Sequence, residues 1–311
     1  MAQLVAHHTG SVGVTGSNPV SSTFKTKYHF GAMAQLVAHH TGSVGVTGSN
    51  PVSSTVGRLL RGGGPFSMLG CMDVYTKKVS RPDQAGAEAA GLRWLAAARA
   101  DVVVEVAGVT GTSISTRRVM ESRPSLKAAQ SFGAALREVH ETGAPAFGAP
   151  PEGWEGSNFI GRVEQPCQPC ESWGEFYVEQ RVLPFVETLP KDLQDIVRVA
   201  SDAVRSVDWE VAPARIHGDL WAGNVLFTAE TAVMIDPAAH GGHPWTDLAM
   251  LELFGTPLYE EILRGYGVPK EYERWVPMHQ LHPLAVHATT HGPAYYRPLG
   301  KAAEATIDAL R

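Results

Sequence analysis

The chain has 311 residues, with 26 Lys and Arg against 31 Asp and Glu, and 44% of it is hydrophobic. The acidic balance argues against a protein that coats nucleic acid. The longest apolar stretch, Val102 to Val109, is broken by Glu105, so no segment reads as a membrane span. Three cysteines cannot build a disulfide framework, and an odd number suits a reducing compartment. The first 23 residues carry no Lys or Arg and no long apolar run, so they do not read as a secretory signal, and a cytoplasmic protein is expected.

Residues 1–23 recur unchanged at 33–55. Structural repeats come in several copies and drift between them, and this segment has no sustained helix or strand period. A disordered tail is one reading. The preferred one is that the segment resembles the conceptual translation of tandem tRNA genes. Gln35-Leu36-Val37 matches a D-arm, and Gly48-Ser49-Asn50-Pro51 matches a T-arm. Residues 1–67 are then a non-native extension, and Met68 and Met72 are candidate starts.

The character changes after Thr55. Residues 72–79 read as a strand presenting lysines. Residues 84–99 read as a helix with Leu92, Leu95 and Ala96 on one face. Residues 102–109 are β-branched and strand-like, and Ile114 to Met120 is a weaker strand. Residues 125–140 place Ala129, Phe132, Leu136 and Val139 at helical spacing. A Pro/Gly-rich loop is expected over 148–171, then helices over 172–187 and 191–206. Short strands follow at 214–217, 224–228 and 232–236, and helices dominate from Thr246 to the end. The expected organisation is a β-rich N-lobe over 68–121 and a larger, mainly helical C-lobe over 122–311.

The strongest signal is Ile216-His217-Gly218-Asp219-Leu220-Trp221-Ala222-Gly223-Asn224. Asp219 and Asn224 have the Asp-x-x-x-x-Asn spacing of a kinase catalytic loop. Asn224–Thr228 and Ala232–Asp236 read as a hairpin that returns Asp236 beside Asn224. ATP phosphates need Mg²⁺ to neutralise them, and Mg²⁺ takes oxygen ligands. Asn224 and Asp236 are the candidate metal ligands. Asp219 is the candidate catalytic base, able to orient an acceptor hydroxyl and take its proton.

These residues, with IDPAAHGGHPWTDLAMLELFG after them, WGEFYVEQRVLPF at 173–185 and HQLHPLAVH near the C-terminus, resemble the fructosamine/ketosamine-3-kinase family. The resemblance runs from about Met72 to the end. It implies an α+β, protein-kinase-like two-lobe fold, shared with aminoglycoside and choline kinases. It implies ATP and Mg²⁺ as cofactors and ketosamines, free or as glycated amines or proteins, as acceptors. Phosphorylation at the sugar 3-hydroxyl would make the adduct unstable, so the implied role is deglycation. His217 becomes the structural histidine of the loop, and His240 to His243 fall near the sugar site. Kinases of other small hydroxylated amines, of aminoglycoside or choline type, and a catalytically silent nucleotide-binding relative are the alternatives.

A kinase fold also needs a strand lysine on the phosphates, oriented by a helix glutamate. Lys77 matches the family's strand lysine and Glu88 its helix glutamate, so both are candidate cofactor-binding residues. Lys78 is a rival, but strand alternation sends it to the opposite face. The pattern departs from the family in three places. Only Arg61-Gly62-Gly63-Gly64-Pro65 and Gly70 stand where a glycine-rich strand–turn–strand is expected. Arg117 occupies a hinge position often acidic, and Trp275 a position usually arginine.

Weaker signals have simpler readings. Cys167 and Cys170 have metal-ligand spacing but no second pair, and structural zinc needs four ligands. His279, His282, His287 and His291 read as packing and hydrogen-bonding residues. Asp247 reads as the anchor of the catalytic-loop backbone.

Overall fold

The structure is a computed structural model that describes residues 73–311. The repeat at 1–55, the glycines at 62–64, Gly70, and Met68 and Met72 lie outside the described residues.

A three-stranded antiparallel sheet begins the fold, built from β1 (Val74–Lys78), β2 (Val106–Thr110) and β3 (Ser113–Arg117) in the order β1-β3-β2. Lys77 pairs with Ile114 across β1 and β3. Between β1 and β2 runs helix α1 (Gln84–Ala98). Its buried face is Ala85, Glu88, Ala89, Leu92 and Leu95, at the three- and four-residue steps that keep side chains on one side of a helix. Glu88 is the one carboxylate in that stripe, so its presence there calls for a partner.

The strand expected over 102–109 is shorter. Ala100–Val102 forms a 3₁₀ turn, and Val103 makes an isolated parallel bridge to Met234. The strand starts only at Val106, with a bulge opposite Ser115 and Thr116. Burial explains the difference. Val102, Val103 and Val104 are all buried, and Val104 N donates to Met234 O at 3.1 Å, so this run docks onto the large lobe and does not extend the sheet.

The large lobe opens with α2 (Leu126–Glu141), whose Ser125 cap accepts from Ala128 N at 3.1 Å. Phe132, Leu136 and Val139 are buried on one face. This helix packs against α6 (Tyr259–Tyr266) with almost no side-chain spacer. A methyl group on Gly133 would sit 2.0 Å from Ile262 O, so only glycine permits the crossing.

The expected loop over 148–171 contains a hairpin, β4 (Asn158–Ile160) with β5 (Val163–Gln165), turned at Gly161 with φ +57°. Three-residue strands carry too little alternation to be read against the surrounding prolines and glycines. Next come α3 (Trp173–Tyr177), which runs into a π turn (Val178–Val182) and a 3₁₀ turn (Leu183–Phe185), and α4 (Lys191–Arg205).

The short strands follow. β6 (Ala214–Ile216) pairs with β9 (His240–Gly242), and β7 (Val225–Phe227) pairs with β8 (Ala232–Met234). The strand expected to end at Asp236 stops at Met234. Asp236 has φ +54°, a left-handed conformation that leaves the ladder. Helices α5 (Pro244–Leu253), α6, α7 (Tyr272–His279), α8 (Leu281–His291) and α9 (Tyr296–Leu310) complete the chain. None of the described helices is long and apolar enough to cross a membrane.

Two hydrophobic clusters hold these layers. One joins α3, α4, α8 and α9 through residues such as Phe176, Val197, Leu284 and Leu299. The other is shared between the lobes, combining Leu92 and Ile114 with Phe132, Leu220, Val225, Met234 and Leu248. The β7–β8 hairpin therefore packs against both lobes, and the loops at its ends open into the cleft between them.

Candidate active site

The candidate catalytic loop leaves β6 at Ile216 and turns at Gly218, whose φ is +78°. A Cβ there would lie 2.4 Å from Ala238 O, so glycine meets both the conformation and the space. Asp247, fully buried on α5, fixes this turn from below. Its carboxylate accepts from His217 N at 2.7 Å and Gly218 N at 2.9 Å, and His140 Nε2 stands 3.2 Å away. Burial opposes the Asp247 charge, but His140 and these amides outweigh it and hold the carboxyl below its ordinary value.

The His217 ring ties the loop to the hairpin. Its Nδ1 accepts from Asp219 N at 3.3 Å, so the proton sits on Nε2, which donates to Ile235 O at 2.9 Å. Burial lowers the His217 pKa and keeps the ring neutral.

Asn224 closes a 3₁₀ turn (Ala222–Asn224) before β7. Its Nδ2 donates to Asp219 O at 2.8 Å and lies 3.3 Å from Asp219 Oδ2. With the amide nitrogen so engaged, Oδ1 is the end left for a cation. Asp236 faces the same space across the hairpin, and its own carbonyl is 3.5 Å from Asn224 Nδ2. Asp219 lines the same cavity, in contact with Asn224. Burial raises its pKa well above the ordinary value; Asn224 opposes the rise, while Asp236 and Asp247 add to it.

Lys77 comes down from β1 to meet this group. Its Nζ is 2.6 Å from Glu88 Oε2 and 2.9 Å from Asp236 Oδ1. Burial works against the ammonium, but the two carboxylates hold its pKa above the ordinary value. Two carboxylates share one cation. The more buried of them, Glu88, is lifted to about 7 by burial and by Asp236, against the pull of Lys77. Lys78 is exposed on the other face.

All five sequence-derived residues, Lys77, Glu88, Asp219, Asn224 and Asp236, line one cavity of about 740 Å³ between the lobes. Asn224 and Asp236 fit Mg²⁺, which binds through one or two protein oxygens completed by phosphate oxygens and water. The rest of the wall was less visible in the sequence. The β4–β5 hairpin forms one side from Asn158 to Val163, and Trp221 and Phe254 form another with His287, Thr290 and His291. Gln84 Nε2 donates to Gly161 O at 2.6 Å, and Arg81 pairs with Glu164 at 2.9 Å. These contacts strap the hairpin to the small lobe.

Two expectations need correction. His240 to His243 do not line the cavity. His240–Gly242 is strand β9, His240 Nδ1 bonds Ala238 O at 2.7 Å, and His243 caps α5 by accepting from Trp245 N at 3.1 Å. Conversely, His287 and His291 are more than packing residues, since both line the cleft with their rings stacked at 5.1 Å. The other late histidines are packed inside. His279, for example, bonds Thr246 Oγ1 at 3.1 Å.

The departures from the family pattern have local accounts. Arg117 pairs with Glu105 at 2.6 Å. Trp275 and Trp209 pack with their rings nearly perpendicular, and the Arg274 guanidinium lies over the Trp275 ring at 4.7 Å. The Cys167 and Cys170 thiols donate to Gly148 O and Ser172 O.

A family model described as Fructosamine kinase matches residues 74–309. Among curated proteins, one from Thermus thermophilus named a probable ketoamine kinase is 35% identical over 152 residues, covering 48% of this chain and 58% of that one. The chain spans about half the length of the curated relatives it matches. A solved structure from Thermobifida fusca, provisionally described as a fructosamine-3-kinase, is 38% identical with a TM-score of 0.70 over 76% of this chain and 85% of its own. A choline/ethanolamine kinase family structure from Mesorhizobium loti, 17% identical, has a TM-score of 0.50 over 77% of this chain and 87% of its own. The α+β two-lobe architecture is thus the kinase-like fold.

Proposed function

The chain belongs to the fructosamine kinase family, and from that premise we propose that it transfers the γ-phosphoryl group of ATP to a sugar hydroxyl of a ketosamine. The observation that carries this reading is the convergence of Lys77, Asp219, Asn224 and Asp236 on one cleft. Phosphoryl transfer asks the protein mainly to position its reactants and to neutralise charge.

Lys77, steadied by Glu88, would contact the α- and β-phosphates. Asn224 Oδ1 and the Asp236 carboxylate would hold Mg²⁺, which when bound neutralises the phosphate oxygens. Asp219 would accept the proton of the attacking hydroxyl as the new oxygen–phosphorus bond forms and the bond to the ADP oxygen breaks. Its raised pKa suits that task, because the protonated form is easier to reach than for a solvated carboxylate. Trp221 and His287 offer ring surfaces to the sugar and amine portions of the acceptor. Phosphorylation at the 3-hydroxyl would destabilise the adduct and release the amine, which is deglycation.

The test is incubation of the full chain with ATP, Mg²⁺ and a fructosyl- or ribulosyl-amine, with the phosphate located by NMR. Phosphate on the 3-hydroxyl is expected. ATP binding with no phosphorylation of any ketosamine or other hydroxylated amine would instead support the catalytically silent alternative.

A further inference from the structure

A second cavity, of about 340 Å³, opens between α6, α7, α9 and the end of α5. It shares no lining residue with the catalytic cleft. Its inner part carries several hydrogen-bond acceptors. Gln280 is only 2% exposed, and its Nε2 donates to Ala249 O at 3.1 Å. That bond fixes which end of the amide is which and leaves Oε1 for the cavity, where no donor among the described residues reaches it. Tyr259 and Tyr272 line the same space, their hydroxyls 2.9 Å apart.

Glu252 lines it too, with Glu260 and Glu273 nearer the mouth. None of the three carboxylates has an ion-pair partner among the described residues. Burial, and then repulsion from Glu260 and Glu273, pushes the Glu252 carboxyl up to about 7. Among the described residues no three acidic, His or Cys side chains stand close enough to hold one metal ion. A compact cation bearing N–H donors complements this set of carboxylates and the amide oxygen. The walls are apolar, with Leu263, Val276, Pro277, Ala302 and Ala305. At the rim stand Arg274 and Lys301, which disfavour a second positive charge at the outer end of a ligand.

We propose that this cavity binds a primary alkylammonium group, with its charged end at Glu252 and Gln280 and its aliphatic stem along the apolar wall. An ammonium has three donors and no acceptor. Glu252, Gln280 Oε1 and the tyrosine pair supply matching acceptors, and the Tyr259 and Tyr272 rings add favourable faces for a cation. A free alkylamine and a lysine side chain present the same group.

The experiment is titration calorimetry of the full chain with n-pentylamine, with n-pentanol as the uncharged counterpart and Nα-acetyl-lysine methylamide as the peptide-like form. One-to-one binding of pentylamine and none of pentanol is expected. Glu252→Gln should weaken binding at least about tenfold, since a charge-assisted contact is lost. It should not lower the melting temperature, because it removes one of three mutually repelling carboxylates. Ala305→Phe, which fills the cavity without touching an acceptor, should also abolish binding. Equal binding of the lysine derivative assigns the site to lysine side chains, and binding of pentylamine alone assigns it to free amines. Unchanged affinity in Glu252→Gln, or equal binding of pentanol, overturns the proposal.

Discussion

Glu88 Oε2 lies 2.6 Å from Lys77 Nζ, and this contact joins α1 to β1 at the mouth of the cleft. The same ammonium is 2.9 Å from Asp236, so one side chain links the helix and sheet of the small lobe to the metal-binding candidate of the large one.

Lys77→Met should therefore cut phosphoryl transfer by about two orders of magnitude, the scale seen when one charge-stabilising group is removed. The large lobe should keep its cooperative unfolding. Lys78→Met serves as the control and should leave turnover unchanged, because Lys78 is exposed on the opposite face. The reverse pattern in steady-state kinetics would move the active lysine by one residue.

Asp219→Asn and Asp236→Asn should fail differently. The first keeps shape but removes the proton acceptor, so transfer should fall by roughly two to four orders of magnitude while nucleotide still binds. The second removes charge from the Mg²⁺ site. A Mg²⁺ titration should partly rescue Asp236→Asn and leave Asp219→Asn unrescued.

Trp221→Ala should act on the acceptor side. Trp221 lines the cleft with its ring steeply inclined to that of Phe254, at 6.1 Å between centroids. Loss of that surface should raise KM for the ketosamine by up to about tenfold. KM for ATP should stay as it is. An equal rise in both would remove Trp221 from the acceptor wall.

Asp247→Ala strands two buried amides and His140. It should cost about 3–5 kcal/mol in denaturant unfolding, the range for breaking a buried charged contact. Its low pKa also fixes a sign: the contribution of Asp247 is present above the ordinary carboxylate range and is lost as pH falls below that range to the lowered pKa of the folded state. Burial lowers His217, His240, His243, His279, His282 and His287, two of them to about 3 and about 4. These take up protons only on unfolding below about pH 6.5, which destabilises the fold. Glu88, Asp219 and Glu252, with raised values, act oppositely. Histidines outnumber these acids, so melting temperature should decline from pH 7 to pH 5. A flat profile would mean that the histidines are solvated.

Much of the site is legible from spacing because its parts are close in sequence. Asp219 and Asn224 belong to one loop, and a short turn brings Asp236 back beside them. Lys77 and Glu88 are legible only through the resemblance, since a Lys-Lys pair and a helical Glu are ordinary surface features. The β4–β5 wall is not legible, because three-residue strands among prolines and glycines leave no period. His287 and His291 are hidden for another reason. Four residues apart on α8, they share a face, but the sequence does not say whether that face meets the core or the cleft. Nor can spacing tell that His240–Gly242 would be taken up as a strand against β6.

The strap from Gln84 to Gly161 and from Arg81 to Glu164 ties one wall of the cleft to the small lobe at two points, while Lys77 reaches Asp236 on its floor. Separation of the lobes must part Lys77 from Asp236 and must either break both strap contacts or carry the β4–β5 hairpin along with α1.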